Sequence, residues 1–269
     1  LGTRGSLLHD SGRPMVVSSS PATVLGVPIT HRDLETAVAG IEACASSGRG
    51  GYICLASVHM IMEAMDDPSF FDILAQADAV LPDGMPLAWS LRADGFCDTE
   101  RIAGMDLTLA VLGLAQDQDL AVGFHGGLPE VLEQLLAVVR SRWPRVQIAY
   151  AYSPPFRPLT EREVEEQVLQ INRSGVQILF VGLGCPKQER WMATNRTKTS
   201  AVMLGVGAVF DMLSGVKPQA PILLRRLGLE WLFRLVMEPR RLFWRYARHN
   251  PRFVWRSVAA RVGKLLVRS

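Results

Sequence analysis

The chain has 269 residues, 48% of them apolar and 20% charged, a composition that supports a folded core and excludes a disordered or fibrous protein. The net charge of +3 hides an asymmetry: residues 215–269 carry thirteen Lys and Arg against Glu230 and Glu238, a net of +11, which leaves −8 for residues 1–214. The longest apolar runs, such as 201–210, are about ten residues, short of the ~18–20 that cross a bilayer, so the basic end is expected to meet phosphates of nucleic acid, lipid or nucleotide from outside a membrane.

Residues 1–20 are rich in Gly, Ser and Pro and lack the apolar core of a signal peptide, which predicts a loose tail. Short β-branched runs then alternate with amphipathic stretches. The pattern predicts strands over 23–29, 52–56, 79–81, 121–124, 146–152, 177–181 and 201–204. Helices are predicted between them over 32–46, 60–65, 85–92, 105–116, 130–142, 161–172 and 187–193. This is the signature of parallel strands joined by crossover helices, an α/β fold with a Rossmann-like, mostly parallel sheet over 21–214. After Gly215 the strand signals stop. Leu, Trp, Phe and Arg recur at helical spacing, interrupted by Pro221, Pro239 and Pro251, and predict a basic amphipathic helical appendage over 215–269. Cys44, Cys54, Cys97 and Cys185 form no CxxC pair and no metal-spaced set, as expected of reduced thiols in a cytosolic protein.

Ligands of open α/β sheets sit beyond the carboxyl ends of the strands, so the loops there hold the candidate residues. In Leu81-Pro82-Asp83-Gly84, Asp83 fits a general base or an ordinary helix cap. Gly126 and Gly127 follow a strand and precede a helix, where backbone N–H groups suit a phosphate, although a tight turn explains such a pair equally well. The run GLGCPKQE at 182–189 is neither a Walker A loop nor a GxGxxG fingerprint; Gly184 and Gln188 are its candidate contacts to a base or sugar, and Lys187 reads as a contact or a solvated surface residue. Asp211 closes GVGAVFD at 205–211 as a ribose or base ligand, or a turn residue.

In the appendage, Arg234, Arg241, Arg245, Arg248 and Arg252 follow at intervals of 7, 4, 3 and 4, which places them on one helical face if the helix survives Pro239 and Pro251. Interleaved aromatics, among them Trp231, Phe243, Trp244 and Trp255, suit a helix resting on anionic lipid, or one packed on the body with its basic face solvated.

Together these stretches resemble the WecG/TagA/CpsF family of bacterial glycosyltransferases. The likeness runs from about Val24 to Phe253 through VLGVPI at 24–29, the Pro82–Gly84 loop, Arg101 with Gly104 and Asp106, the two glycine-rich runs above, and GLEWLFRLVMEPRR at 228–241. The resemblance implies an inverting transferase that needs no bound metal or other cofactor. It takes a nucleotide-sugar donor, a uridine diphosphate sugar, and a polyprenyl-diphosphate-linked glycan as acceptor, in exopolysaccharide or surface-glycan synthesis. It implies Asp83 as general base, Ser57, His59, Arg101, Gln188 and Asp211 at donor- or acceptor-binding positions, and Arg234, Arg241 and Arg245 closing over the diphosphate. Such a protein is expected to be cytoplasmic, peripheral on the inner face of the membrane, and open to homo-oligomer assembly.

Two departures stand out. Where the family shows Thr-x-Asn, this chain has Ser57-Val58-His59, and Gln219 replaces the Arg before Ala220-Pro221, so that one phosphate contact is either missing or taken over by Arg225 or Arg226. Two other readings compete with the transferase. A nucleic-acid-binding protein would grip with the basic tail but would lack any helix-turn-helix, RRM or KH signature. A nicotinamide-dependent oxidoreductase or epimerase would lack its dinucleotide fingerprint.

Overall fold

Residues 23–29 fold as a hairpin and not as the one strand expected. Ala22–Val24 (β1) pairs antiparallel with Val27–Ile29 (β2), and Leu25 and Gly26, at φ 51° and 85°, make the two-residue turn between them. Positive φ at both central positions matches the right-handed twist of the strands, but Leu-Gly lacks the Asn-Gly or Asp-Gly signal that would have announced the turn. The computed structural model describes residues 22–268, apart from the side chains of Arg226 and residues 264–268. The tail expected over 1–20 lies outside the described residues.

The body follows the alternation read from the sequence. Leu34–Ser47 (α1) starts at Asp33, whose carboxylate accepts from the Thr36 N–H, and stops at Gly48 in the left-handed region. Gly51–Ala56 (β3) leads to Val58–Asp66 (α2) and to Pro68–Ala75 (α3), a helix absent from the prediction although Asp67 caps it and Pro68 opens it. Ala79–Pro82 (β4), Met85–Ala93 (α4), Gly104–Asp117 (α5), Val122–Gly126 (β5), Pro129–Arg142 (α6), Ile148–Tyr152 (β6) and Glu161–Arg173 (α7) follow. Ile178–Gly182 (β7), Lys187–Asn195 (α8), Val202–Gly205 (β8) and Val209–Leu213 (α9) complete this part.

β3 to β8 form one parallel sheet in the order β4-β3-β8-β7-β5-β6. Side-chain alternation divides its core in two. Ile53 and Leu55 face the layer containing α1, α5, α6 and α9, while Tyr52, Cys54 and Ala56 face the hairpin, α2, α3, α4 and α8. At the amino end of the sheet the buried Asp78 carboxylate accepts from the Tyr52 N–H at 2.9 Å and pairs with Arg196 at 2.9 Å, which locks β3, the β4 approach and α8 together.

Past the sheet come Ile222–Arg226 (α10), Glu230–Met237 (α11) and Pro239–Arg268 (α12). The arginine face expected to run unbroken is divided. Pro239 opens α12 instead of continuing α11, in the first turn, where its missing N–H costs no helical hydrogen bond, whereas Pro251 lies inside α12, which runs on through it. Arg234 therefore belongs to one helix and Arg241, Arg245, Arg248 and Arg252 to the next. α12 lies on α2, with Leu242 and Phe253 buried and Arg252 forked onto Asp66 at 2.6 and 2.8 Å.

Candidate active site

The carboxyl ends of all six parallel strands open into one cleft of about 810 Å³, roofed by α11 and the first turns of α12. Ser57 enters after β3, Asp83 after β4, Gly127 after β5, Pro154 and Pro155 after β6, Gly182 to Gln188 after β7, and Gly207 to Asp211 after β8. A parallel sheet sends every strand end to the same rim, which is how loops far apart in sequence come to share a pocket.

Asp83 is held on all sides. Its N–H and that of Gly84 donate to the Ala56 carbonyl, its Oδ1 accepts from the Gly104 N–H at the start of α5 at 3.2 Å, and its carbonyl accepts from Arg101 Nε at 2.5 Å. The helix-cap alternative does not hold, since Gly84 is the cap of α4 and no side chain bonds there. Arg101 Nη2 stands 3.8 Å from Asp83 Oδ1 and donates to Glu230 Oε2 of α11 at 2.5 Å. Loss of water around the carboxyl pushes Asp83 up to about 6. Arg101 opposes this, Glu230 adds to it, and Arg234 and the Gly104 N–H oppose it again more weakly. About a third of the side chain still opens to solvent, so the group is both perturbed and reachable.

Gln188 is clamped inside its own loop. Its Oε1 accepts from the Gly184 N–H at 3.1 Å, and its Nε2 donates at 2.7 Å to Glu189, a fully buried carboxyl that desolvation pushes up to about 7. Any side chain at Gly205 would strike Gln188 and Met192, so the glycine there gives the amide its room. Asp211 lines the cleft with its carboxylate on Lys217 Nζ at 2.7 Å; the same ammonium reaches Glu238 at 3.3 Å, and Glu238 in turn takes Arg241 Nε at 2.6 Å. Arg234 and Arg245 also line the cleft and, among the described residues, have no carboxylate at ion-pair distance.

Other expected residues fall differently. Ser57 lines the cleft and also caps α2, accepting from the Met60 N–H at 3.5 Å. His59 is not among the lining residues; it turns toward α12, its ring 4.9 Å from that of His249. Gly126 lies outside the lining too, and a Cβ there would come within 2.6 Å of the Gly182 backbone, so the close approach of β5 and β7 demands that glycine. Arg225 lines the cleft near Gln219 and pairs with Asp106 at 3.4 Å. Arg248 and Arg252 face Asp66 on α2, away from the cleft.

The sequence reading missed Glu230, Lys217 and Tyr246 as site residues. Glu230 did carry a signal, as one of two acids in a segment with thirteen cations. Buried His125 was missed as well: it stacks on Trp191 at 4.3 Å and meets the Tyr150 hydroxyl at 3.3 Å, and desolvation holds it neutral, down to about 3.

The arrangement offers a carboxylate of raised basicity opposite uncommitted guanidinium groups, which suits deprotonation of an alcohol beside a group that gains negative charge. The profile of the Glycosyl transferase WecG/TagA/CpsF family matches residues 22–265. The chain is 29% identical over 231 residues, covering 84% of this chain and 86% of the relative, to the N-acetylglucosaminyldiphosphoundecaprenol N-acetyl-beta-D-mannosaminyltransferase of Bacillus subtilis (strain 168). It is 32% identical over 207 residues, covering 77% and 78%, to the protein of the same name from Bacillus spizizenii.

Proposed function

Because this chain belongs to the WecG/TagA/CpsF family of glycosyl transferases, we propose that it moves an N-acetylhexosaminyl group from a uridine diphosphate sugar to a hydroxyl of a polyprenyl-diphosphate-linked glycan. That it is a glycosyltransferase follows from the family and its relatives; the donor, acceptor and stereochemistry are the proposal. The acceptor class is drawn from those two relatives, whose names specify a diphosphoundecaprenol acceptor.

One observation carries the reading: Asp83 and the arginines of α11 and α12 line the same cleft. Asp83 takes the proton of the acceptor hydroxyl as its oxygen attacks the anomeric carbon. The bond from that carbon to the diphosphate oxygen breaks on the opposite face, which inverts the centre. The leaving uridine diphosphate gains charge that Arg234, Arg241 and Arg245 meet as fixed cations. Ser57, Gln188 and Asp211, which line the same cleft, are the proposed contacts to sugar or nucleoside.

A thermal-shift panel tests the donor. At about 100 times its dissociation constant the true donor stabilises the folded chain by ~2.7 kcal/mol, so one uridine diphosphate sugar is expected to raise the melting temperature while NAD leaves it unchanged. No shift with any nucleotide sugar, or a shift with NAD alone, would overturn the reading.

The appendage also supports a peripheral place on the inner face of the cell membrane. Trp231, Leu232, Val236 and Met237 of α11 and Phe243, Trp244, Val254 and Trp255 of α12 are exposed among arginines, and no described helix is long and apolar enough to cross a bilayer. Co-sedimentation with phosphatidylglycerol vesicles is expected at low salt, weakening as salt rises, with little on phosphatidylcholine. Equal recovery in the supernatant with and without anionic vesicles would remove the membrane from the proposal.

A further inference from the structure

Behind the cleft, α12 meets α2 through three side chains whose polar atoms converge without bonding to one another. His59 and Glu63 stand four residues apart on one face of α2, and His249 comes from α12. His59 Nδ1 lies 3.7 Å and His249 Nε2 3.6 Å from Glu63 Oε1, and one ligand atom from each residue falls within 4.8 Å of the other two. We propose that His59, Glu63 and His249 bind a divalent transition-metal ion of the zinc class, and that this ion pins the appendage to the body.

The separations are too long for hydrogen bonds but close to what a shared ion needs. Bonds of ~2.0–2.1 Å to a tetrahedral centre set ligand atoms roughly 3.3 Å apart, so two of the three edges are nearly correct and side-chain rotation closes the third. The environment points the same way. His249 is 4% exposed, and Nδ1 of His59, the ring atom that faces Glu63, is buried without any hydrogen-bond partner. A buried imidazole nitrogen normally finds a partner, and one that lacks it while facing a carboxylate and a second imidazole marks an unfilled role. Two imidazoles and a carboxylate suit zinc, nickel, cobalt or copper, and not magnesium or calcium, which favour oxygen throughout.

The surrounding charges leave Glu63 free for this. Asp66 takes the Arg252 fork and stands 3.8 Å from Arg248, whereas no arginine lies at ion-pair distance from Glu63 among the described residues. None of the three lines the cleft, so the ion stands outside the transfer chemistry. Its effect is positional, because His249 lies one helical turn beyond Arg245 and fixing it fixes the turn of α12 that carries Arg245 over the cleft.

The full chain, stripped with a chelator, is titrated with Zn²⁺ in competition with a chromophoric chelator, and separately with Co²⁺ to read the ligand-field absorption. One equivalent is expected, with a melting temperature raised by Zn²⁺ and not by Mg²⁺. His249→Gln and Glu63→Gln, each checked for folding by circular dichroism, are expected to weaken binding by more than the ~10–100-fold that loss of an outer-shell partner costs, and to abolish the Co²⁺ band. Absence of stoichiometric binding, or binding that persists undiminished in whichever variant folds, would overturn the proposal.

Discussion

Asp83→Asn is expected to lower the rate of sugar transfer by about 10²–10⁴-fold while leaving donor affinity nearly intact, measured as kcat with a nucleotide-sugar donor and a lipid-diphosphate acceptor analogue. The amide keeps the shape and can still accept from the Gly104 N–H, but it cannot take the acceptor's proton. The wild-type rate should fall as pH drops through about 6, where the raised carboxyl becomes protonated, and the residual rate of the variant should lose that limb. Stability runs in the opposite direction. The folded chain binds the Asp83 proton more tightly than the unfolded chain does, so this group's contribution is fully present below the unfolded value of 3.8 and is lost as pH rises through about 6. Removing the charge should therefore leave the variant as stable as wild type at neutral pH, or more stable by up to about 2 kcal/mol, with urea denaturation as the measure. Unchanged kcat would refute the base assignment, and a collapse in stability would show that Asp83 is structural.

Arg245→Ala is expected to reduce kcat by about 10²–10³-fold, the scale set by removing one preorganised donor to a developing oxyanion. Arg245→Lys should recover only part of this, because an ammonium holds the charge but not the planar fork that grips a diphosphate. Arg245 is the more telling choice over Arg241, whose guanidinium already lies on Glu238 at 2.6 Å, so that its loss also disturbs the Glu238–Lys217–Asp211 chain. If Arg245→Ala alters the Michaelis constant for the donor and leaves kcat untouched, the arginine binds the ground state only, and the leaving-group role must pass to Arg234.

The class of fold was legible because strand and crossover helix have different periods, and the seven helices expected in the body each have a counterpart. What escaped was set by contacts that local pattern does not encode. The Leu25–Gly26 turn has no signature residue and is held instead by the pairing of β1 with β2. In the site, Asp83 and Gln188 were recognisable from their loops, but the partners that define their chemistry were not. Glu230 lies 129 residues beyond the Arg101 it pairs with, and the Glu189 carboxyl turns inward where helical spacing alone would allow it to face solvent. His59 shows the converse, since its place after a strand suggested a sugar contact and only the packing of α12 on α2 reveals that it faces His249.

The Arg101–Glu230 contact ties the strength of the base to the position of α11. Dehydration and the neighbouring Glu230 carboxylate are the two influences that make Asp83 a better proton acceptor, and both depend on α11 resting against the sheet's rim. Were that helix to swing outward, water would return, Glu230 would depart, and Asp83 would revert to an ordinary, feebly basic surface acid. In the proposed reaction, an activated sugar waiting in an unsealed enzyme would thus face a poor catalyst for its own wasteful hydrolysis, and full reactivity would arise only with both reactants enclosed.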